Sequence, residues 1–267
     1  MAIEEAHKRG LKLTGHLCSI TYPEAVELGI DNLEHGFFVN TQLDPGKQED
    51  ECPSTVGGPT LAKMTAGGPE AKALIDLLVS HHVAVTSTLP VFEPDDVTHL
   101  HLQPRVLETM AEPTREAYLY TRNLELMRAA ADPKAAEEHA AMFKNGMALE
   151  REFVAAGGLL MAGPDPTGDG GVLPGFGDQR EVELLVEAGF TPVEAIKIAT
   201  LNGATYEGLA NSIGSIAPGK SADLVVVEGD PSRKISDIEN TEIVFKDGVG
   251  YDSQKLLESA KGRYGQY

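Results

Sequence analysis

An α/β fold, with helices alternating with strands of a parallel sheet, is what this sequence predicts, and three observations predict it. Helical stretches and extended, β-branched stretches alternate four times along the first 163 residues. Glycine stands where three of those helices must stop, at Gly10, Gly29 and Gly157-Gly158. The chain has 267 residues, 42% hydrophobic and 24% charged, which is globular composition for one large domain or two modest ones.

Taken in order, residues 2 to 9 read as a helix, Gly10 ends it, and Leu11-Lys12-Leu13-Thr14-Gly15-His16 is extended. Residues 23 to 28 form the next short helix, followed by Gly29 and the strand Ile30-Asp31-Asn32-Leu33-Glu34-His35. Residues 71 to 82 place Leu74, Leu77 and Leu78 at helical spacing, and Val83-Ala84-Val85-Thr86-Ser87-Thr88 follows as a strand. A charged helical region from about 112 to 156 leads to the strand Leu159-Leu160-Met161-Ala162-Gly163. Such alternation builds either a barrel or an open doubly wound sheet. No GxGxxG follows an early strand, and the glycines from 168 to 177 lack a P-loop Lys-Ser/Thr, so nothing local supports nucleotide binding.

Two further helices are signalled. Residues 180 to 187 are amphipathic, and Thr191-Pro192-Val193-Glu194 is a capping box with Pro at the first helical position, predicting a helix from 191 to about 201. The character then changes. Turn chemistry over 215 to 220, a strand over 222 to 227 and another over 243 to 248 describe a small β-module. Residues 40 to 68 and 91 to 105, rich in Pro, Gly and charge, are expected as surface loops.

Lys plus Arg number 22 against 41 Asp plus Glu, a formal net charge of −19 that disfavours nucleic acid and anionic membrane surfaces as partners. No apolar run approaches the ~18 residues of a membrane span, and the acidic start at Glu4-Glu5 is unlike a signal peptide. The expected location is cytoplasmic, unless an export signal lies upstream. Cys18 and Cys52 fit no CxxC or CxxH spacing and are expected to be ordinary thiols.

His16, His35 and Asp165 sit where the first, second and fourth predicted strands end. In a parallel barrel those ends share one face, where active sites are built. Two imidazoles and a carboxylate suit zinc or a related divalent ion with room left for water. A single His at a strand end is nevertheless more often structural than a ligand, and Asp165 between two prolines equally suits a turn.

These residues and their surroundings resemble the amidohydrolase superfamily, in particular its imidazolonepropionase-like and prolidase-like members. The resemblance is carried by Thr14-Gly15-His16, Leu33-Glu34-His35-Gly36, Ala162-Gly163-Pro164-Asp165 and the run from 180 to 196. Residues 213 to 227, Ile-Gly-Ser-Ile-Ala-Pro-Gly-Lys-Ser-Ala-Asp-Leu-Val-Val-Val, resemble the return of such a chain from barrel to β-sandwich. The resemblance implies barrel strands 5 to 8 of a TIM-like (β/α) barrel over 1–209, β-sandwich strands over 210–250, and a tail or short helix over 251–267. It implies His16 and His35 as metal ligands, with His35 polarising the substrate carbonyl in one-metal members, and Asp165 as a ligand that takes and returns a proton. The implied cofactor is one or two divalent ions, with zinc the expected metal. The implied reaction is hydrolysis of a carbon–nitrogen bond in a small amide, cyclic amide or dipeptide-like substrate, with amidine deamination as the rival chemistry and a non-catalytic binding or assembly role as the rival of another class.

The pattern also departs from the family. The HxH pair expected after the first barrel strand and the bridging Lys or Glu after the fourth have no counterpart, and His99-Leu100-His101 and His81-His82 read as a solvated loop pair and a helix end. The expectation is a chain corresponding to the second half of a longer enzyme, weakly active or inactive alone, with exposed strand edges that favour self-association. Thr167, Asp169, Asp178 and Arg180 flank Asp165, and Arg180 is expected to be a solvated helix residue.

Overall fold

The computed structural model describes residues 2–97, 102–166 and 171–266, leaving aside the side chain of Asp95. Four βα units come first. Helix α1 (Ala2–Lys8) precedes β1 (Thr14–Gly15), and α2 (Tyr22–Glu27) precedes β2 (Asn32–Leu33). Helices α3 (Gly58–Lys63) and α4 (Pro69–Ser80) lead to β3 (Ala84–Ser87). After it come α5 (Leu89–Phe92), α6 (Pro104–Thr109), α7 (Glu112–Ala131), α8 (Pro133–Ala155) and β4 (Leu160–Ala162). The four strands form one parallel sheet in chain order, with Thr14 opposite Asn32, Leu33 opposite Val85 and Thr86 opposite Met161. All four carboxyl ends therefore lie on one rim, as the alternation predicted, while the strands are shorter than the extended stretches suggested.

Local chemistry explains the boundaries. Thr21 accepts the Glu24 amide and the Glu24 carboxylate accepts the Thr21 amide at 2.8 Å, a capping box that starts α2 ahead of Pro23. The single helix read from 112 to 156 is two: Asp132 leaves helical geometry and caps α8 through the Ala135 amide, with Pro133 opening the new helix. Within the segment read as a loop from 40 to 68, the buried Asp44 accepts hydrogen bonds from the Gly57 and Thr60 amides and the Thr55 and Thr60 hydroxyls, which sets up α3.

Beyond β4, α9 (Phe176–Glu187) packs on α5, and α10 (Pro192–Lys197) begins on the expected capping box, with Thr191 and Glu194 exchanging hydrogen bonds. The helix does not end near 201. It passes through a π turn (Ile198–Asn202) into α11 (Gly203–Tyr206), and the turn brings Asn202 Nδ2 to 2.8 Å from the Leu160 carbonyl of β4. The β-module is a three-stranded antiparallel sheet of β5 (Leu224–Val227), β6 (Thr241–Lys246) and β7 (Val249–Asp252), closed by α12 (Ser253–Ala260). The main core runs beneath the parallel sheet, with Leu33, Val85 and Leu160 from the strands meeting Tyr22, Leu78, Leu149 and Phe153 from the helices.

Two further expectations are corrected. Cys18 and Cys52 are not ordinary thiols: they form a disulfide across 34 residues, joining the segment after β1 to the loop before α3. Arg180 is not solvated. Its guanidinium is held by Glu93 at 2.7 Å, Glu187 at 2.7 Å and Glu183 at 3.0 Å in a largely buried cluster, because α9 and the segment after β3 close over it.

Glu150 and Glu181 are both fully buried beside Ser87, whose hydroxyl donates to Glu150 Oε2 at 2.8 Å. Burial, then the neighbouring Glu181, pushes Glu150 well above the ordinary carboxylate range. Burial pushes Glu181 up to about 7, and the nearby Asp178 and Glu93 add to the rise. Both carboxyls hold their protons more tightly in the folded chain, so this contribution to stability is present at pH 4 and is lost as pH rises, through about 7 for Glu181. Glu150→Gln should raise the melting temperature by about 3–6 °C at pH 8 and by far less at pH 4. An equal shift at both pH values would contradict the account.

Candidate active site

His16 directly follows β1, His35 lies two residues beyond β2, and Asp165 lies three beyond β4. The rim brings all three together. The His16 and His35 rings meet edge to face with centroids 4.7 Å apart, and His35 Nε2 is 3.8 Å from Asp165 Oδ2. His35 is buried, whereas His16 and the Asp165 carboxylate reach solvent. His35 and Asp165 both have positive φ, at 67° and 45°, a conformation that non-glycine residues hold only where the surroundings impose it. At His35 the constraint is visible: the next amide, Gly36, donates to the Thr86 carbonyl at 2.9 Å.

Residues that the sequence did not single out hold the imidazole. Thr88, just past β3, has its hydroxyl 2.9 Å from His35 Nδ1. It leaves Nε2 for the open side, and because a hydroxyl both donates and accepts, it suits either tautomer. Phe92 packs edge to face on His35 at 5.9 Å and stacks on Phe38 at 4.2 Å. Phe38 in turn lies against α8 at Gly146, where a Cβ would fall 2.3 Å from its ring. Asn32 on β2 donates from Nδ2 to Thr86 Oγ1 at 2.9 Å and to Thr14 Oγ1 at 2.8 Å, tying three strand ends together. Polar residues at strand positions otherwise filled by Val or Leu were the available signal for Asn32 and Thr86.

Burial lowers the His35 pKa, the adjacent His16 lowers it further, and Asp165 and Glu34 oppose them. His35 is thus biased towards the neutral ring at neutral pH, the form that ligates a metal or donates one hydrogen bond. Of the flanking residues, Asp178 accepts the Gly175 amide at 2.8 Å at the start of α9, a capping role. Thr167, Asp169 and the His99-Leu100-His101 pair lie outside the described residues. His81 and His82 end α4, at the opposite end of the sheet from the rim.

Two imidazole nitrogens and a carboxylate are the donor types that zinc-like ions take, and ligands sharing an ion at ~2.1 Å stand roughly 3–4 Å apart, as His35 and Asp165 do. Among the described residues, no group of three or more His, Cys, Asp or Glu is spaced to hold a metal ion by itself. The set fits a divalent ion in kind and is short of ligands in number.

Residues 147–249 match the model of the amidohydrolase family. Over these residues the chain is similar to that family. The match covers β4, the Asp165 segment, α9 to α11 and the first two strands of the β-module. An adenine deaminase from Ligilactobacillus salivarius is 41% identical over 69 residues, 26% of this chain and 12% of that protein. Among solved structures, a bottromycin amidohydrolase superposes with a TM-score of 0.64 at 20% identity, covering 97% of this chain and 55% of its own. A putative prolidase from Bifidobacterium longum gives 0.58 at 22% identity, covering 97% and 53%. This chain thus spans about half the length of the solved structures it matches, which share its fold.

Proposed function

We propose that the chain supplies His16, His35 and Asp165 to the centre of a metal-dependent amidohydrolase that hydrolyses a carbon–nitrogen bond in a small amide, cyclic amide or dipeptide-like substrate. The observation that carries this reading is the meeting of these three side chains at the carboxyl ends of parallel strands, two of them on left-handed backbone. The residues then divide the work. His16 and the Asp165 carboxylate would hold a divalent ion, zinc on our reading, and His35 Nε2 either joins them or donates to the substrate carbonyl. A bound ion supplies acidified water and carbonyl polarisation near neutral pH. Asp165 takes the proton from the attacking water at its carboxylate and returns it to the leaving nitrogen. Thr88 fixes the ring of His35 while this happens, and Phe92 excludes water from its inner face.

On this reading residues 1–209 are strands 5 to 8 of a (β/α) barrel, 210–250 belong to a β-sandwich and 251–267 to a closing helix. The outer edges of β1 and β4 have no strand partner among the described residues, so a second copy is a candidate neighbour. Among the described residues no helix is long and apolar enough to cross a membrane. The cytoplasmic location proposed from the sequence is opposed by the Cys18–Cys52 disulfide, since such bonds persist mainly in oxidising compartments.

The similarity to adenine deaminases favours amidine deamination as the second reading. The test is mass spectrometry of amides, dipeptides and adenine incubated with the purified chain and excess zinc. Acid plus amine supports the first reading, ammonia with the deaminated base supports the second, and no turnover at any zinc concentration leaves a non-catalytic assembly partner.

A further inference from the structure

We infer that a pocket of about 360 Å³ on the same rim seats an uncharged, apolar substituent of the amide, an aryl or branched alkyl group. The inference rests on the hydrolase reading and deepens it by naming the substrate class. Position comes first. One wall is Pro90, Val91, Glu93 and Pro94, on the segment that begins two residues after Thr88 and whose Phe92 packs on His35. Another is the segment 171–177, where a Cβ on Gly177 would stand 3.1 Å from Pro164, the neighbour of Asp165. The pocket thus lies against the segment that carries Phe92 and, through Gly177, beside Pro164, which itself lines the larger cavity described below.

Its chemistry comes from a second apolar cluster, Val106, Met110, Leu173 and Phe176, which is separate from the main core beneath the sheet. Leu107 and Tyr118 pack against that cluster and line the pocket with Val106 and Phe176. Burial raises the Tyr118 pKa, so its hydroxyl stays protonated. The formal charges on the lining cancel, Glu93 and Glu125 against Arg122 and Arg180, and Arg180 is already engaged by Glu93, Glu183 and Glu187. A charged substituent would lose hydration there without gaining a net counter-charge. A neutral ring loses little and gains apolar contact.

A larger cavity of about 520 Å³ between α9, the π turn and the β-module supplies the control, because Leu256 lines it and not the pocket. The experiment is saturation-transfer NMR of the purified chain with N-benzylacetamide. Saturation of the ring protons is expected, with affinity reduced at least tenfold in Leu107→Trp and in Val91→Trp from the facing wall, and unchanged in Leu256→Trp. Thermal melting checks that each variant is folded. Absence of ring saturation, unchanged binding in both pocket variants, loss in Leu256→Trp instead, or equal binding of phenylacetate or benzylamine would overturn the inference. Ring binding without hydrolysis of any amide supports the pocket and overturns the hydrolase reading, whereas hydrolysis of small amides without ring binding overturns the pocket alone.

Discussion

Asp165→Asn lowers kcat/KM for amide hydrolysis, measured with zinc in excess, by about 10²–10⁴-fold or to the assay floor. The melting temperature stays within about 2 °C of wild type. The two halves of this expectation have separate physical grounds. Asp165 sits at φ 45°, and Asn is among the few residues that accept the left-handed region readily, so the backbone is kept. Its side chain is 42% exposed, so no core contact is lost. What disappears is a group able to take a proton and return it, together with the charge facing His35 Nε2. Activity within threefold of wild type would remove Asp165 from the chemistry, and a large loss of stability would mean that it serves the turn between Pro164 and Pro166 instead.

Removing the disulfide by the double substitution Cys18→Ser and Cys52→Ser costs roughly 3–4 kcal/mol of stability, read as a shift in the urea midpoint. The figure follows from the loop entropy released when a closure of 34 residues is opened. The same bond ties down the site, because Cys18 is two residues from His16. The Thr41 hydroxyl donates to the Cys18 carbonyl at 2.9 Å, so the segment keeps one anchor when the bond is gone. A shift below about 0.5 kcal/mol, or free thiols in the protein as purified, would show that the bridge does not hold this loop in solution.

The alternation of helices with strands was legible because each unit carries its own local signals, and Thr191 with Glu194 begins α10 where the capping box placed it. That His16, His35 and Asp165 share one rim was legible because they stand at strand ends, which parallel pairing aligns. The Cys18–Cys52 bridge was not: a separation of 34 residues matches no spacing pattern, and only the folded loop brings the sulfurs together. Arg180 was misread for a related reason, since helical position alone cannot reveal that Glu93, 87 residues earlier, closes over it. Thr88 and Phe92 touch His35, and nothing in their own residue types announces it. The π turn was invisible because one extra residue in a turn leaves the apolar period of the helix almost unchanged.

The most direct measurement of the central claim is calorimetric titration of the purified chain with zinc, beside His16→Ala, His35→Ala and Asp165→Asn. We expect weak binding in wild type, with a Kd at or above about 1 μM because the ligand set is short, and at least tenfold weaker binding in each variant. Binding that all three substitutions leave unchanged, or no binding at all, would contradict the convergence of these side chains on one ion.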